Sequence, residues 1–136
     1  MTLLKEKTTQ ALGILSELNI DLWLIFVRET SGVRDPVLEF IIGPRDLTWQ
    51  SALIFTQKGE RIAIVGNLEK DEIRDLGVFD IVLGYDKSIR ELLRQTISKL
   101  NPEQIAINSS RDNVHADGLT HAMHGILQEH LTDTPY

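Results

Sequence analysis

The chain has 136 residues and no cysteine, so it is the length of one domain, and disulfides, thiolate metal sites and a cysteine nucleophile are excluded. Apolar residues make up 42% of it, enough for an ordinary core, and a net charge of −6 opposes a phosphate backbone and argues against nucleic acid as a partner. Met1-Thr2-Leu3-Leu4-Lys5-Glu6-Lys7 is charged too early for a signal peptide, and the longest apolar run, Leu22 to Val27, is too short to cross a bilayer, so the expectation is a cytoplasmic protein that does not engage a membrane.

Thr2 to Leu18 has helical spacing, with Leu4, Ala11, Leu12, Leu15 and Leu18 on one stripe and Asn19 as the stop. Asp21 to Val27 reads as the first strand. Its apolar run does not alternate, so both faces should be buried, as in a central strand. Arg28 to Gln50 is a long polar stretch in which Val37 to Ile42 has the makings of a short helix, closed by Gly43-Pro44. Ser51 to Thr56 and Arg61 to Val65 are two strands joined by the turn Gln57-Lys58-Gly59-Glu60.

Leu68 to Leu76 reads as a short acidic helix and Phe79 to Leu83 as the next strand. Ser88-Ile89-Arg90-Glu91 has the form of a capping box. The helix behind it carries Ile89, Leu92, Leu93, Ile97 and Leu100 on one face and stops at Asn101-Pro102. Gln104 to Asn108 is a fifth strand. A last helix is predicted from about Asp117, as N-cap, to Leu131, and residues 132–136 read as the start of a linker. The first three strands suit an antiparallel meander, and the last two follow helical crossovers and should run parallel to their neighbours. The fold class is therefore α/β: three layers, a mixed five-stranded sheet with helices on both faces, in a ribonuclease-H-like strand order.

No phosphate-binding glycine loop and no nucleophile elbow is present. His115, His121, His124 and His130 crowd the last third of the chain. His121 and His124 share a helix face and His130 points the other way, among Leu119, Met123, Ile126 and Leu127, which is half a zinc site at most. Asp21, Asp80 and Asp117 sit near element ends and invite a two-metal reading. However, the first two stand at strand starts, whereas ligand sites of α/β sheets lie at the carboxyl ends. Arg28, Arg34, Arg45 and Trp49 flank the long loop after the first strand. They are the candidate ligand-facing or interdomain residues, because arginine grips carboxylates in a fork. The ordinary alternative is solvated arginines and a tryptophan that packs the loop.

Two segments are more specific. Leu38-Glu39-Phe40-Ile41-Ile42-Gly43 precedes the hairpin Ala52-Leu53-Ile54-Phe55 … Gly59-Glu60-Arg61-Ile62-Ala63-Ile64-Val65. Later comes Ile107-Asn108-Ser109-Ser110 … Ala116-Asp117-Gly118-Leu119-Thr120. Together these resemble the amino-terminal domain of the creatinase/prolidase family, which includes Xaa-Pro peptidases, and the element order agrees over nearly the whole chain. Ile42 stands where the family often has Thr, and Pro44 where an aromatic often follows Gly. The resemblance implies that residues 1–131 are a non-catalytic domain. It implies a missing carboxy-terminal pita-bread domain in which two Asp, one His and two Glu hold two divalent metal ions, with no cofactor in this chain itself. It also implies a homodimer in which this domain closes over the substrate cleft, the stretch from Arg28 to Trp49 facing it. Some relatives have lost catalysis and bind proteins, so the alternative is a stand-alone interaction or regulatory module.

Overall fold

Leu22–Val27 forms β1, and every side chain along it except that of Trp23 is buried. The computed structural model describes residues 2–135. Ser51–Thr56 forms β2 and Arg61–Gly66 forms β3, antiparallel to one another and to β1, with Leu24 opposite Ile54 and Ile54 opposite Ile62. Ile81–Tyr85 forms β4, parallel to β3, and Ile105–Ile107 forms β5, parallel to β1. The sheet order β4-β3-β2-β1-β5 is the expected meander with one parallel strand added at each edge.

Side chains alternate across this sheet and build two cores. Leu22, Leu24, Phe26, Ile54, Ile62 and Ile64 point to the face covered by α3 (Arg90–Leu100) and α4 (His121–His130), where they meet Leu93, Ile97, Met123 and Leu127. Ile25, Val27, Leu53, Phe55, Ala63 and Val65 point to the other face. There they meet Leu15 of α1 (Leu3–Leu18), Ile73 of α2 (Lys70–Asp75), and Leu38, Ile41 and Ile42 from the loop after β1. This is why β1 and β2 read as unbroken apolar runs: both of their faces carry a core. The three-layer arrangement follows directly.

Several local expectations are corrected. Leu18 ends α1 but is 63% exposed, and Thr8 takes the buried place beside Leu15. The segment Val37 to Ile42 is a 3-10 turn over Pro36–Phe40, capped by the Asp35 side chain on the Val37 amide. β4 begins two residues later than its apolar pattern predicts, because Val78 and Phe79 are buried in the second core before the strand starts. The capping box does not form: Ser88 accepts from the amide of Arg90, Glu91 turns to Gln95, and Ile89 occupies the cap position.

The last helix starts at His121, not near Asp117. Asp117 instead accepts from the Ser110 amide, and the Leu119 amide donates to the Asn108 carbonyl. These long-range bonds hold residues 117–119 out of the helix, and Thr120 becomes the cap by accepting from Met123 N. After α4, residues 132–134 make a turn on which Arg94 closes, donating to the carbonyls of His130 and Thr132. Tyr136 lies outside the described residues.

Candidate functional site

Because β1, β3, β4 and β5 run in one direction, their carboxyl ends share one edge of the sheet. The long loop after β1 sits on that edge, the usual place for an α/β ligand site. The loop is closed at its base. Glu29 N donates to Thr48 O at 3.0 Å and Thr30 N to Leu47 O at 3.1 Å. The Thr30 hydroxyl donates to Asp46 at 2.9 Å and accepts from Leu47 N at 2.8 Å. Glu29 makes the turn out of β1 with a left-handed φ of 45°, a conformation uncommon for a residue other than glycine.

The four residues singled out in the sequence separate here. Arg34 is turned into the loop: Nη1 donates to Arg45 O and to Asp46 Oδ1, both at 2.9 Å, and Nη2 donates to Gly43 O. It holds the loop's shape. Arg45 donates to Ile42 O at 3.3 Å and stands 3.7 Å from Glu72, which anchors the loop loosely to α2. Arg28 is exposed. Trp49 packs against Gly66, where a Cβ would come within 2.4 Å of its ring, and its ring centroid is 5.7 Å from that of Tyr85. Arg28 and Trp49 line one hollow of about 390 Å³ with Tyr85, Lys87 and His130. Arg34 and Arg45 do not reach it.

That hollow contains groups that the sequence did not single out as a set. His130 faces inward, as its helical position predicted, edge-on to Phe26 at 6.0 Å. Its Nε2 is 2.8 Å from Gln50 Oε1, and its Nδ1 is buried without a partner. Burial lowers its pKa, nearby Arg90 lowers it further, and Glu129 opposes them. The Tyr85 hydroxyl donates to Gln50 O at 2.7 Å, and burial, with Glu69 adding to it, pushes its pKa up to about 12. Both rings therefore favour their neutral forms.

A second polar chain crosses the same edge. The Trp23 indole donates to Asn108 Oδ1 at 2.7 Å, and Asn108 Nδ2 donates to Asp35 Oδ2 at 2.8 Å. Asp35 is only 3% exposed. The helical pattern gave no sign of it, because the partners lie far apart in the chain.

Among the described residues no group of three or more His, Asp or Glu side chains converges. The carboxylates with metal-like placement are spent on backbone: Asp21 accepts from Glu103 N and Gln104 N, Asp80 from Arg61 N, and Asp117 from Ser110 N. Thr30, the buried hydroxyl of the loop, is 2% exposed and engaged on both sides, so no substrate atom reaches it. The arrangement can grip a ligand or a partner surface through Arg28, Lys87 and the two aromatic rings.

No protein-family model matches the sequence, and no curated protein matches it. Solved structures do match its fold. An X-Pro aminopeptidase from Thermotoga maritima MSB8 superposes with a TM-score of 0.65 and 16% identity over 93% of this chain and 31% of that one. An Xaa-Pro dipeptidase from Bacillus anthracis gives a TM-score of 0.67 and 12% identity over 96% of this chain and 32% of that one. The N-terminal domain of an Xaa-Pro dipeptidase from Lactobacillus brevis gives a TM-score of 0.67 and 16% identity over 99% of this chain and 92% of that one. The chain thus spans about a third of the whole peptidases it matches. It has the creatinase amino-terminal domain fold.

Proposed function

We propose that this chain is the non-catalytic amino-terminal domain of a metal-dependent Xaa-Pro dipeptidase or aminopeptidase. The observation that carries this reading is coextension: the chain is matched almost end to end by an isolated N-terminal domain, and whole peptidases continue well beyond it. In this reading the pita-bread domain carries two divalent metal ions that activate water for peptide hydrolysis. The present domain helps form a cytoplasmic homodimer and closes over the cleft.

Arg28 and Trp49 are the residues assigned to the cleft side. Arg28 is exposed, without a partner of its own among the described residues, at the carboxyl edge of the sheet. Its guanidinium is suited to a substrate carboxylate. Arg34 and Arg45 are assigned to shaping the loop that presents it. The test begins with the reading frame beyond Tyr136, which should encode two Asp, one His and two Glu as metal ligands. In the enzyme so defined, Arg28→Ala should raise KM with little change in kcat. A frame without those ligands sinks the reading and leaves an interaction module. An unchanged KM removes Arg28 from the cleft.

A further inference from the structure

Asp35 is the only carboxylate buried to such depth among the described residues. Its Oδ1 accepts from Val37 N at 3.0 Å and its Oδ2 from Asn108 Nδ2 at 2.8 Å. Both donors are neutral, and none of the ion pairs among the described residues includes Asp35. A carboxylate offers about four acceptor positions, so about half of its capacity is unused. A buried charge without a counter-charge is costly, and a cation is the group that relieves it.

The carboxylate borders a hollow of about 210 Å³ whose walls are Phe26, Val27, Val33 and Met123, with Arg28 and Glu29 at its exposed mouth. Gly118 forms the wall closest to Asp35. A Cβ there would stand 2.0 Å from the Asp35 Cγ, so the bare backbone is what leaves room for the carboxylate. The hollow is smaller than the roughly 300–1,000 Å³ of drug-sized ligand sites. Its lining is mixed: Phe26, Val27, Val33 and Met123 are apolar, and Thr120 adds a hydroxyl beside the acids and the mouth arginine. The small volume of the hollow favours a compact ammonium over the larger planar fork of a guanidinium. A compact ammonium needs only one free lone pair.

We propose that this hollow binds a small aliphatic primary ammonium compound. The ammonium group donates to Asp35, and the alkyl part lies on Phe26, Val33 and Met123. The site adjoins the hollow assigned to the cleft and shares Arg28 and Glu29 with it, but it does not depend on that assignment.

The experiment is a calorimetric titration of the full 136-residue chain with n-butylammonium chloride at low salt, with n-butanol as the uncharged probe. Saturable binding of butylammonium is expected, with butanol at least about tenfold weaker. Asp35→Asn keeps the Val37 cap but sets its amide nitrogen against that of Asn108, so its folding is checked by urea unfolding, and the folded variant should lose the difference between the two probes. Arg28→Glu, at an exposed position, removes a repelling charge at the mouth and should tighten butylammonium several-fold. L-leucine distinguishes the sources of the ammonium. Tighter binding than butylammonium that depends on Arg28 identifies an amino acid, and weaker binding identifies a simple amine or a lysine side chain. No saturation in the wild-type chain, equal binding of butanol, or an affinity unmoved by both substitutions overturns the proposal.

Discussion

The Asn108 side-chain amide stands 2.8 Å from the Asp35 carboxylate and ties the end of β5 to the loop that follows β1. The same amide group accepts from the Trp23 indole at 2.7 Å, so one side chain joins β1, β5 and the loop. Asn108→Ala leaves a buried carboxylate and a half-buried indole each short of a partner. A loss of about 2–3 kcal/mol is expected, the range for removing a bond to a charged group. Urea unfolding measures it, and a change below about 0.5 kcal/mol, the scale of an ordinary surface substitution, would show that water replaces the bridge.

Trp49 rests directly on the Gly66 backbone. Gly66→Ala drives a methyl group into the indole and forces the loop end away from β3. The expected destabilisation is about 1–3 kcal/mol, as for other overpacked sites. Tryptophan fluorescence should shift to the red as the ring moves into water. Unaltered emission together with unaltered stability would mean that the loop yields freely.

Arg34 donates to three acceptors on residues 43, 45 and 46. In Arg34→Ala, amide exchange across residues 33–46 should rise while β1 and β2 stay protected. Arg45→Ala should do much less, because its contacts are one long hydrogen bond and a 3.7 Å ion pair between half-exposed partners. Equal exchange in the two variants would contradict the clamp assigned to Arg34.

The His130 pKa is lowered, chiefly by burial. The unfolded chain therefore takes up this proton more readily than the folded one, and stability rises with pH. The contribution of His130 is present above the ordinary histidine pKa of about 6.5 and is lost as pH falls through the lower folded value. His130→Gln should flatten the stability profile on the acid side of neutrality. A wild-type slope of the opposite sign would show that the imidazolium finds a partner in the folded state.

Much of the fold is legible in the sequence. The unbroken apolar runs of Leu22 to Val27 and Ala52 to Phe55 announce strands with a core on each face, and Gly59 marks the hairpin between β2 and β3. Helical spacing also placed His130 on the inner side of α4. What it could not supply is contact between distant residues. Asp117 has the chemistry of a helix cap, yet a bond from Leu119 to Asn108 keeps that segment out of the helix and passes the role to Thr120. Ser88 and Glu91 have the residue types of a capping box without the backbone that closes it. Among the site candidates, charge type alone could not separate Arg28 from Arg34. The difference lies in the Gly43, Arg45 and Asp46 acceptors that the folded loop brings to Arg34. Asp35 was likewise silent, because its burial depends on Asn108 and Gly118, which come from the other end of the chain.

The proposed role of this domain is to close over a catalytic centre carried by another domain of the same protein. The direct measurement is hydrolysis of Xaa-Pro dipeptides, with Mn²⁺ supplied, by the 136-residue chain and by the polypeptide translated through the reading frame beyond Tyr136. The account predicts no turnover by the chain alone and turnover by the longer polypeptide. Metal-dependent turnover by the 136-residue chain, or none by the longer polypeptide, would contradict it.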